Sequence, residues 1–385
     1  MKVVWFCLLG VVLLSSLPRG AAETREPQAG TGSLVSQEKV DVIYCVDGGY
    51  IEGLGASLHS ILKHASRPQD LRFKILTSEE DMPYLQLWLE TYLNQGEGDL
   101  PKIYHLDVQA FNRSLVQGKY LVHEAEDWRR LINDLNFARF YVYHHWPDLK
   151  KIVYVDADTI FTRDIAELYK KALLTDTAEN RPHADASRFE LDPLLQQRPG
   201  EPPVFAVFEN CGARYQHYFE VDHPLIQKMF GSDCAFEAGV YVADIEEWQK
   251  QGITEKLERW MQANLEEKLY ICGSQPPLMA VFYHTYENLK ETVGWEHHIS
   301  LGFPYRPTER PPDHEENKLI GNGVIEWNGD RKPWNPDGIW KKLWRPYRLP
   351  LEYSRFKARQ QREEQRRLRK QKEEERSLSA AEILL

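Results

Sequence analysis

Two aspartates one residue apart, Asp156 and Asp158, follow an apolar run, Ile152-Val153-Tyr154-Val155. Four β-favouring residues in a row predict a buried central strand. In open α/β sheets ligands bind at the carboxyl ends of the strands, so both acids stand at a site-forming edge. Residues two apart in an extended chain share a face, and the two carboxylates can converge. Ionised carboxylates that close repel each other unless positive charge stands between them. A hard divalent cation such as manganese or magnesium takes oxygen ligands and supplies that charge. Acids at this spacing also cap turns, and the pair alone leaves both uses open.

The acids end a longer alternation. The pattern predicts strands over 40–46, 71–77 and 102–108, ahead of the strand that stops at Asp156. Between them, one helix carries Leu54, Leu58, Ile61 and Leu62 on a single face. Another runs toward Asn94 from Ser78, with Asp81 three residues on as its capping partner. A third over 127–146 is stopped by Pro147-Asp148. Such alternation predicts an α/β fold, a Rossmann-like, mostly parallel sheet with helices on both faces. The first strand runs into Asp47-Gly48-Gly49-Tyr50, a tight turn where such folds approach a nucleotide. Further on, 164–174 reads as a short helix and 175–203 as a surface insertion. Strands are expected at 204–208 and 238–245, a helix over 246–267 interrupted at Gly252, and a buried helix start over 277–283.

The ends of the chain suggest its compartment. Met1-Lys2, an almost wholly apolar run over 3–14 and a small-residue exit form the pattern of a secretory signal cut near Ala22. The run is shorter than the roughly 20 residues a spanning helix needs, and no later stretch is apolar enough to span. The expected organisation is therefore a signal over 1–22, a linker over 23–38, one catalytic domain over 39–354 and a charged, helical or disordered tail over 355–385. The mature protein is expected in the lumen of the secretory route, in the Golgi or endoplasmic reticulum, or outside the cell. Of five cysteines, Cys7 leaves with the signal, and Cys45, Cys211, Cys234 and Cys272 remain for an oxidising compartment. Cys211 and Cys234 flank one excursion and are the favoured pair. Asn112-Arg113-Ser114 is a glycosylation sequon.

Formal charge is −10 over the whole chain. The segment 355–376 is strongly basic, so the body between signal and tail is more acidic than that total, which implies no nucleic-acid partner. The tail has strong helix formers but no apolar stripe. It reads as a solvated extension whose removal spares stability, with an anionic surface or acidic partner as its other use.

Six motifs in order then carry a resemblance: Val46-Asp47-Gly48-Gly49-Tyr50, Leu135-Asn136-Phe137-Ala138-Arg139, Tyr154-Val155-Asp156-Ala157-Asp158-Thr159, Ala238-Gly239-Val240-Tyr241-Val242-Ala243-Asp244, Gly273-Ser274-Gln275-Pro276-Pro277 and Gly329-Asp330-Arg331-Lys332-Pro333-Trp334. Over 40–353 the chain resembles retaining glycosyltransferases of family 8, of GT-A fold, and most nearly the galacturonosyltransferase-like proteins of plants. The resemblance implies a UDP-sugar donor, a manganese or magnesium ion, and a glycan or glycoprotein acceptor. It implies that Asp47 accepts from the uracil and Tyr50 stacks on it, and that Asn136 and Arg139 hold ribose, sugar and diphosphate. Asp156 and Asp158 would bind the metal, with Ala157 between them against the donor. Gly329 and Lys332 would contact the diphosphate, and Gln275 would stand beside the reacting sugar carbon. A leaving diphosphate gathers negative charge, which metal, Lys and Arg stabilise. Gln275 is a poor nucleophile, so attack by the acceptor from the leaving-group face is the expected route to retention.

Two positions depart from the family pattern. Glu326 stands where a histidine usually serves as third metal ligand, and Glu237 where an asparagine usually meets donor-sugar hydroxyls. These departures motivate a second reading, a degenerate transferase that binds sugar or protein. A third is a haloacid-dehalogenase-type phosphatase, whose nucleophile loop also reads Asp-x-Asp after a strand. There, however, the loop follows the first strand, and here about three strand–helix units precede it.

Overall fold

A computed structural model describes residues 38–93, 101–106, 115, 133–174, 201–270, 273–299 and 320–383, with side chains as far as 372. The signal, nearly all of the linker, the sequon, most of the insertion and Cys272 lie outside the described residues. The elements that bear on the site are β1 (Val40–Cys45), α1 (Ile51–His64), β2 (Leu71–Thr77), α2 (Met82–Leu93), β3 (Lys102–His105), α3 (Asp134–Phe137), β4 (Lys151–Val155), β5 (Thr159–Phe161), β6 (Phe205–Arg214) and β7 (Cys234–Asp244). They continue with α4 (Ile253–Glu266), α5 (Gln275–Val281), β8 (Glu287–Asn288), β9 (Glu296–Ile299), β10 (Gly323–Glu326) and α6 (Tyr353–Ile383).

Seven strands form one sheet in the order β3-β2-β1-β4-β7-β6-β8. The half from β3 to β4 is parallel, as the alternation predicts, and β7 runs antiparallel to both β4 and β6. The sheet is thus mostly parallel with one reversed strand. Successive residues of β4 feed opposite faces: Ile152 and Tyr154 pack with Leu257 and Trp260 of α4 and Leu278 of α5, while Val153 and Val155 pack with Leu54 and Leu58 of α1 and Trp88 of α2. Both faces are therefore covered by helix, and each such fully buried apolar side chain contributes about 1.5–3 kcal/mol. A small second sheet, β5-β10-β9, lies beside the first. Its Ile160 and Ile325 pack with Trp327, Leu343 and Trp344.

Several expectations are refined. Within the predicted 127–146 helix, residues 134–145 form α3, a tight 3-10 turn over Ala138–Tyr141 and one more α-turn. Arg139 Nε donates to the Asn136 carbonyl (3.0 Å), competing for the acceptor that a continuous helix would offer to its own backbone. β7 starts at Cys234 rather than 238, because it pairs as a bulged hairpin with β6, and the expected Cys211–Cys234 disulfide ties the two strands. Cys45 is a free thiol. The helix over 246–267 does break at Gly252, which takes φ +61°, a conformation natural to glycine.

The tail is helical, but its root is not solvated. Phe356 is buried against Tyr92, and Tyr353 lies against Trp88 with its hydroxyl donating to Asp81 (2.9 Å). Lys357 donates to Asp81 and Glu80, both at 2.8 Å. The contact escaped the sequence reading because two aromatics three residues apart do not make a stripe. No helix among the described residues is long and apolar enough to cross a membrane.

Candidate functional site

The carboxyl ends of β1 and β4, the middle of β7, the start of α5 and the stretch after β10 enclose a cavity of about 230 Å³. All twelve residues singled out from the sequence line it: Asp47, Tyr50, Asn136, Arg139, Asp156, Ala157, Asp158, Glu237, Gln275, Glu326, Gly329 and Lys332.

Backbone pairing sets the acids. The Asp156 amide donates to the Gly239 carbonyl of β7 (2.7 Å), and the Trp327 amide donates to the Asp158 carbonyl (3.0 Å). Glu326 pairs across the small sheet with Thr159, which brings it next to Asp158. One oxygen from each of Asp156, Asp158 and Glu326 then lies within 4.8 Å of the others. Gly239 makes this possible, since a Cβ there would stand 2.2 Å from Glu326 Oε1. Behind Glu326, Nε2 of the buried His297 lies 2.7 Å from its Oε2.

Two cations face the acids. Arg139 Nη2 donates to Asp156 Oδ1 (2.9 Å) and its Nη1 to the Ala238 carbonyl (3.0 Å), with the guanidinium over the Tyr154 ring. The Tyr154 hydroxyl donates to the same Asp156 oxygen (3.0 Å). Lys332 Nζ donates to Asp158 and to the Trp327 carbonyl, and sits 5.0 Å from the centre of the Tyr50 ring. Burial alone would depress the Arg139 pKa, but Asp156 and neighbouring groups outweigh it and hold it above the usual arginine value. Burial pushes the Asp156 carboxyl up, with Arg139 opposing and Asp158 adding to the rise. Glu326 is raised well above the ordinary carboxylate range, by burial first and then by Asp158 and Asp156. Three oxygen donors whose shared charge two cations leave uncompensated fit a hard divalent ion, and Asp156, Asp158 and Glu326 are the residues to hold it.

The remaining groups divide by what holds them. Asp47 accepts from the Gly49 amide (2.9 Å), and burial raises its carboxyl. Tyr50 meets Trp334 edge to face. Asn136 Oδ1 accepts from Ser274 Oγ (3.0 Å), and Asn133 caps the Asn136 amide (2.9 Å). The Gln275 amide is clamped to β7, accepting from the Ala238 amide (3.2 Å) and donating to the Phe236 carbonyl (3.1 Å). Glu237 accepts from Asn210 (2.9 Å), Asn328 (3.1 Å) and Tyr218 (3.4 Å). Its pKa is pushed up to about 7 by burial and then by Glu326.

Sequence reasoning missed His297, Tyr154, Tyr218 and Asn210, and gave Asn328 no role. Tyr154 was detectable, since it shares the strand face of Asp156 two residues on. Asn328 directly precedes the Gly329 motif. No local signal marks the other three.

Residues 41–338 match the family model described as glycosyl transferase family 8. The chain is 30% identical over 329 residues to human glycosyltransferase 8 domain-containing protein 1, covering 83% of this chain and 80% of that one. It is 28% identical over 337 residues to mouse glycosyltransferase 8 domain-containing protein 2, covering 85% and 86%. Among solved structures, the galactosyltransferase LgtC in complex with donor and acceptor sugar analogues aligns with TM-score 0.50 at 14% identity, covering 81% of this chain and 97% of that one. The bifunctional glycosyltransferase WbbM aligns with TM-score 0.52 at 15% identity over 82% of this chain, which spans 50% of that protein. At such identities the two structures bear on the fold alone, and the fold is GT-A.

Proposed function

The chain belongs to glycosyl transferase family 8, and from there we propose that it moves a hexose or uronic acid from a UDP-sugar to a glycan or glycoprotein acceptor, with retention and with a divalent metal, in the secretory lumen. One observation carries the reading. Asp156, Asp158 and Glu326 converge at the strand ends, and Arg139 and Lys332 stand against the aspartates inside the same cavity. The phosphatase alternative does not fit the family assignment, and here Asp156 follows the fourth strand rather than the first.

Manganese or magnesium held by the three carboxylates would supply the Lewis acidity that a leaving diphosphate requires. The protein's own groups do the rest. Arg139 and Lys332 stabilise negative charge on the departing UDP. Asp47 and Tyr50, beyond Lys332, offer a carboxyl and a ring face to the base. Gln275, with both ends of its amide engaged by β7, forms a fixed wall and is no nucleophile. That arrangement supports attack by the acceptor hydroxyl from the face that the UDP leaves. Calorimetry with UDP and manganese, followed by UDP-release assays over a panel of UDP-sugars, tests the proposal. Asp156→Asn should keep the fold and abolish metal-dependent UDP release. Unchanged release by that variant, or no UDP binding by the unmodified protein at millimolar manganese, would refute it and favour the binding-module reading.

A further inference from the structure

The cations of the cavity are unevenly spread. Arg139 is engaged with Asp156, and Lys332 with Asp158. Asp47 and Tyr50 lie on the β1 side of these pairs, Tyr50 beneath Lys332. If base and diphosphate occupy those places, the donor's sugar is left with the lining formed by Tyr218, Glu237, Gln275 and Asn328. Hydroxyls, amides and one carboxyl make up that wall, and the carboxyl is Glu237. It is buried, at 3% exposure, so its charge is not dissipated in solvent. Among the described residues its hydrogen bonds come from Asn210, Tyr218 and Asn328, none of which carries charge. The carboxylate of Glu326 lines the same cavity and repels it.

We infer that Glu237 makes this end of the cavity selective for neutral sugars, accepting their hydroxyls and rejecting donors that carry a C6 carboxylate. The inference rests on the transferase reading above and narrows its donor class, and it runs against the uronic acid that a galacturonosyltransferase-like resemblance suggests. A neutral sugar gives Glu237 a hydroxyl to accept from, in exchange for water. A uronate instead brings a second carboxylate against Glu237, while the cavity's cations, Arg139 and Lys332, are already engaged with Asp156 and Asp158. With the Glu237 carboxyl ionised, at a pH above the value of about 7 to which burial lifts it, such like charges disfavour the uronate by roughly 10-fold or more.

Paired donors that differ only at C6 test this directly: UDP-glucose against UDP-glucuronic acid, and UDP-galactose against UDP-galacturonic acid. The readout is kcat/KM for UDP release at saturating manganese and about pH 8.5, where the Glu237 carboxyl is ionised. The unmodified protein should favour the neutral member of at least one pair by about 10-fold or more, and Glu237→Gln should reduce that ratio by about 10-fold. The ratio in the unmodified protein stands even if the variant fails to fold. Equal turnover of both members, preference for a uronate, or an unchanged ratio in a folded Glu237→Gln would overturn the inference while leaving the transferase reading in place. Absence of turnover with all four donors would overturn the transferase reading, and this inference with it.

Discussion

Replacing Gly239 by alanine should detach Glu326 from the carboxylate cluster without unfolding the domain. A Cβ at 239 would stand 2.2 Å from Glu326 Oε1, 2.6 Å from its Cδ and 2.7 Å from Oε2, all inside contact distance. The colliding group is the far end of a flexible side chain, so the carboxyl can swing aside while the β7 backbone holds. Overpacking of this kind costs about 1–3 kcal/mol. Part of that is offset, because moving Glu326 relieves its repulsion with Asp158 and Asp156. The larger effect is on metal affinity, where disturbing a ligand or its support costs about 10- to 100-fold. At a manganese concentration near 100 times the unmodified protein's Kd, that protein gains about 2.7 kcal/mol from binding, while a variant binding 10-fold more weakly gains about 1.4 kcal/mol. Thermal melts with and without manganese, alongside calorimetry, read both quantities. The specific control is a double-mutant cycle with Glu326→Gln: if alanine acts through Glu326, it should weaken manganese binding much less in that background. Manganese affinity unchanged by Gly239→Ala, or full additivity in the cycle, would refute the role given to Glu326.

Two further outcomes follow from burial and packing. Folding lifts the Glu237 carboxyl from 4.5 to about 7, so the native state holds its proton more tightly than the unfolded chain. This group's contribution is most favourable below about pH 4.5 and is lost as pH rises toward 7. Glu237→Gln should therefore be more stable than the unmodified protein at pH 8, by up to about 3 kcal/mol without metal, with the gap closing toward pH 4. A gap in urea melts that widens toward acid would contradict it. Deleting 353–385 removes buried Tyr353 and Phe356 with the Lys357–Asp81 ion pair, for an expected loss of about 4–8 kcal/mol. Deleting 365–385, which begins in the run exposed from 362 to 372, should change stability by less than about 0.5 kcal/mol. Equal melting temperatures for the two truncations would show that the helix root does not hold the domain.

Much of the architecture could be read because buried strands announce themselves locally. The runs at 42–45 and 152–155 are apolar on both faces, which suits the centre of a parallel sheet covered twice by helix, while 71–77 opens with alternation through Arg72 and Lys74. What stayed hidden depends on pairing between distant segments. Nothing in Cys234–Asp244 states that this strand runs against β4, and β5, β9 and β10 have too few residues to show a period. The positions lining the cavity were readable as ordered motifs, but the bonds among them were not. Lys332 and Asp158 are 174 residues apart, and Asn210 reaches Glu237 only because a bulged hairpin brings β6 alongside. His297 sits in a four-residue strand whose pairing with β10 alone puts it against Glu326.

Glu237 and Glu326 are physically one feature. After burial, Glu326 is the largest influence lifting Glu237, and Asn328, two residues beyond Glu326, reaches across to Glu237 at 3.1 Å. Arg139 and Lys332 cannot neutralise them both, since each cation already holds an aspartate. An isolated buried carboxylate is expensive, and a pair more so, unless a compensating charge arrives. A dication on Glu326 would relieve Glu326 directly and Glu237 through it. An asparagine and a histidine at these places would need no such compensation. On the proposed reading the two glutamates would make charge balance depend on bound metal, and Glu237 would give the sugar-facing wall a carboxyl that tolerates hydroxyls but not a second acid.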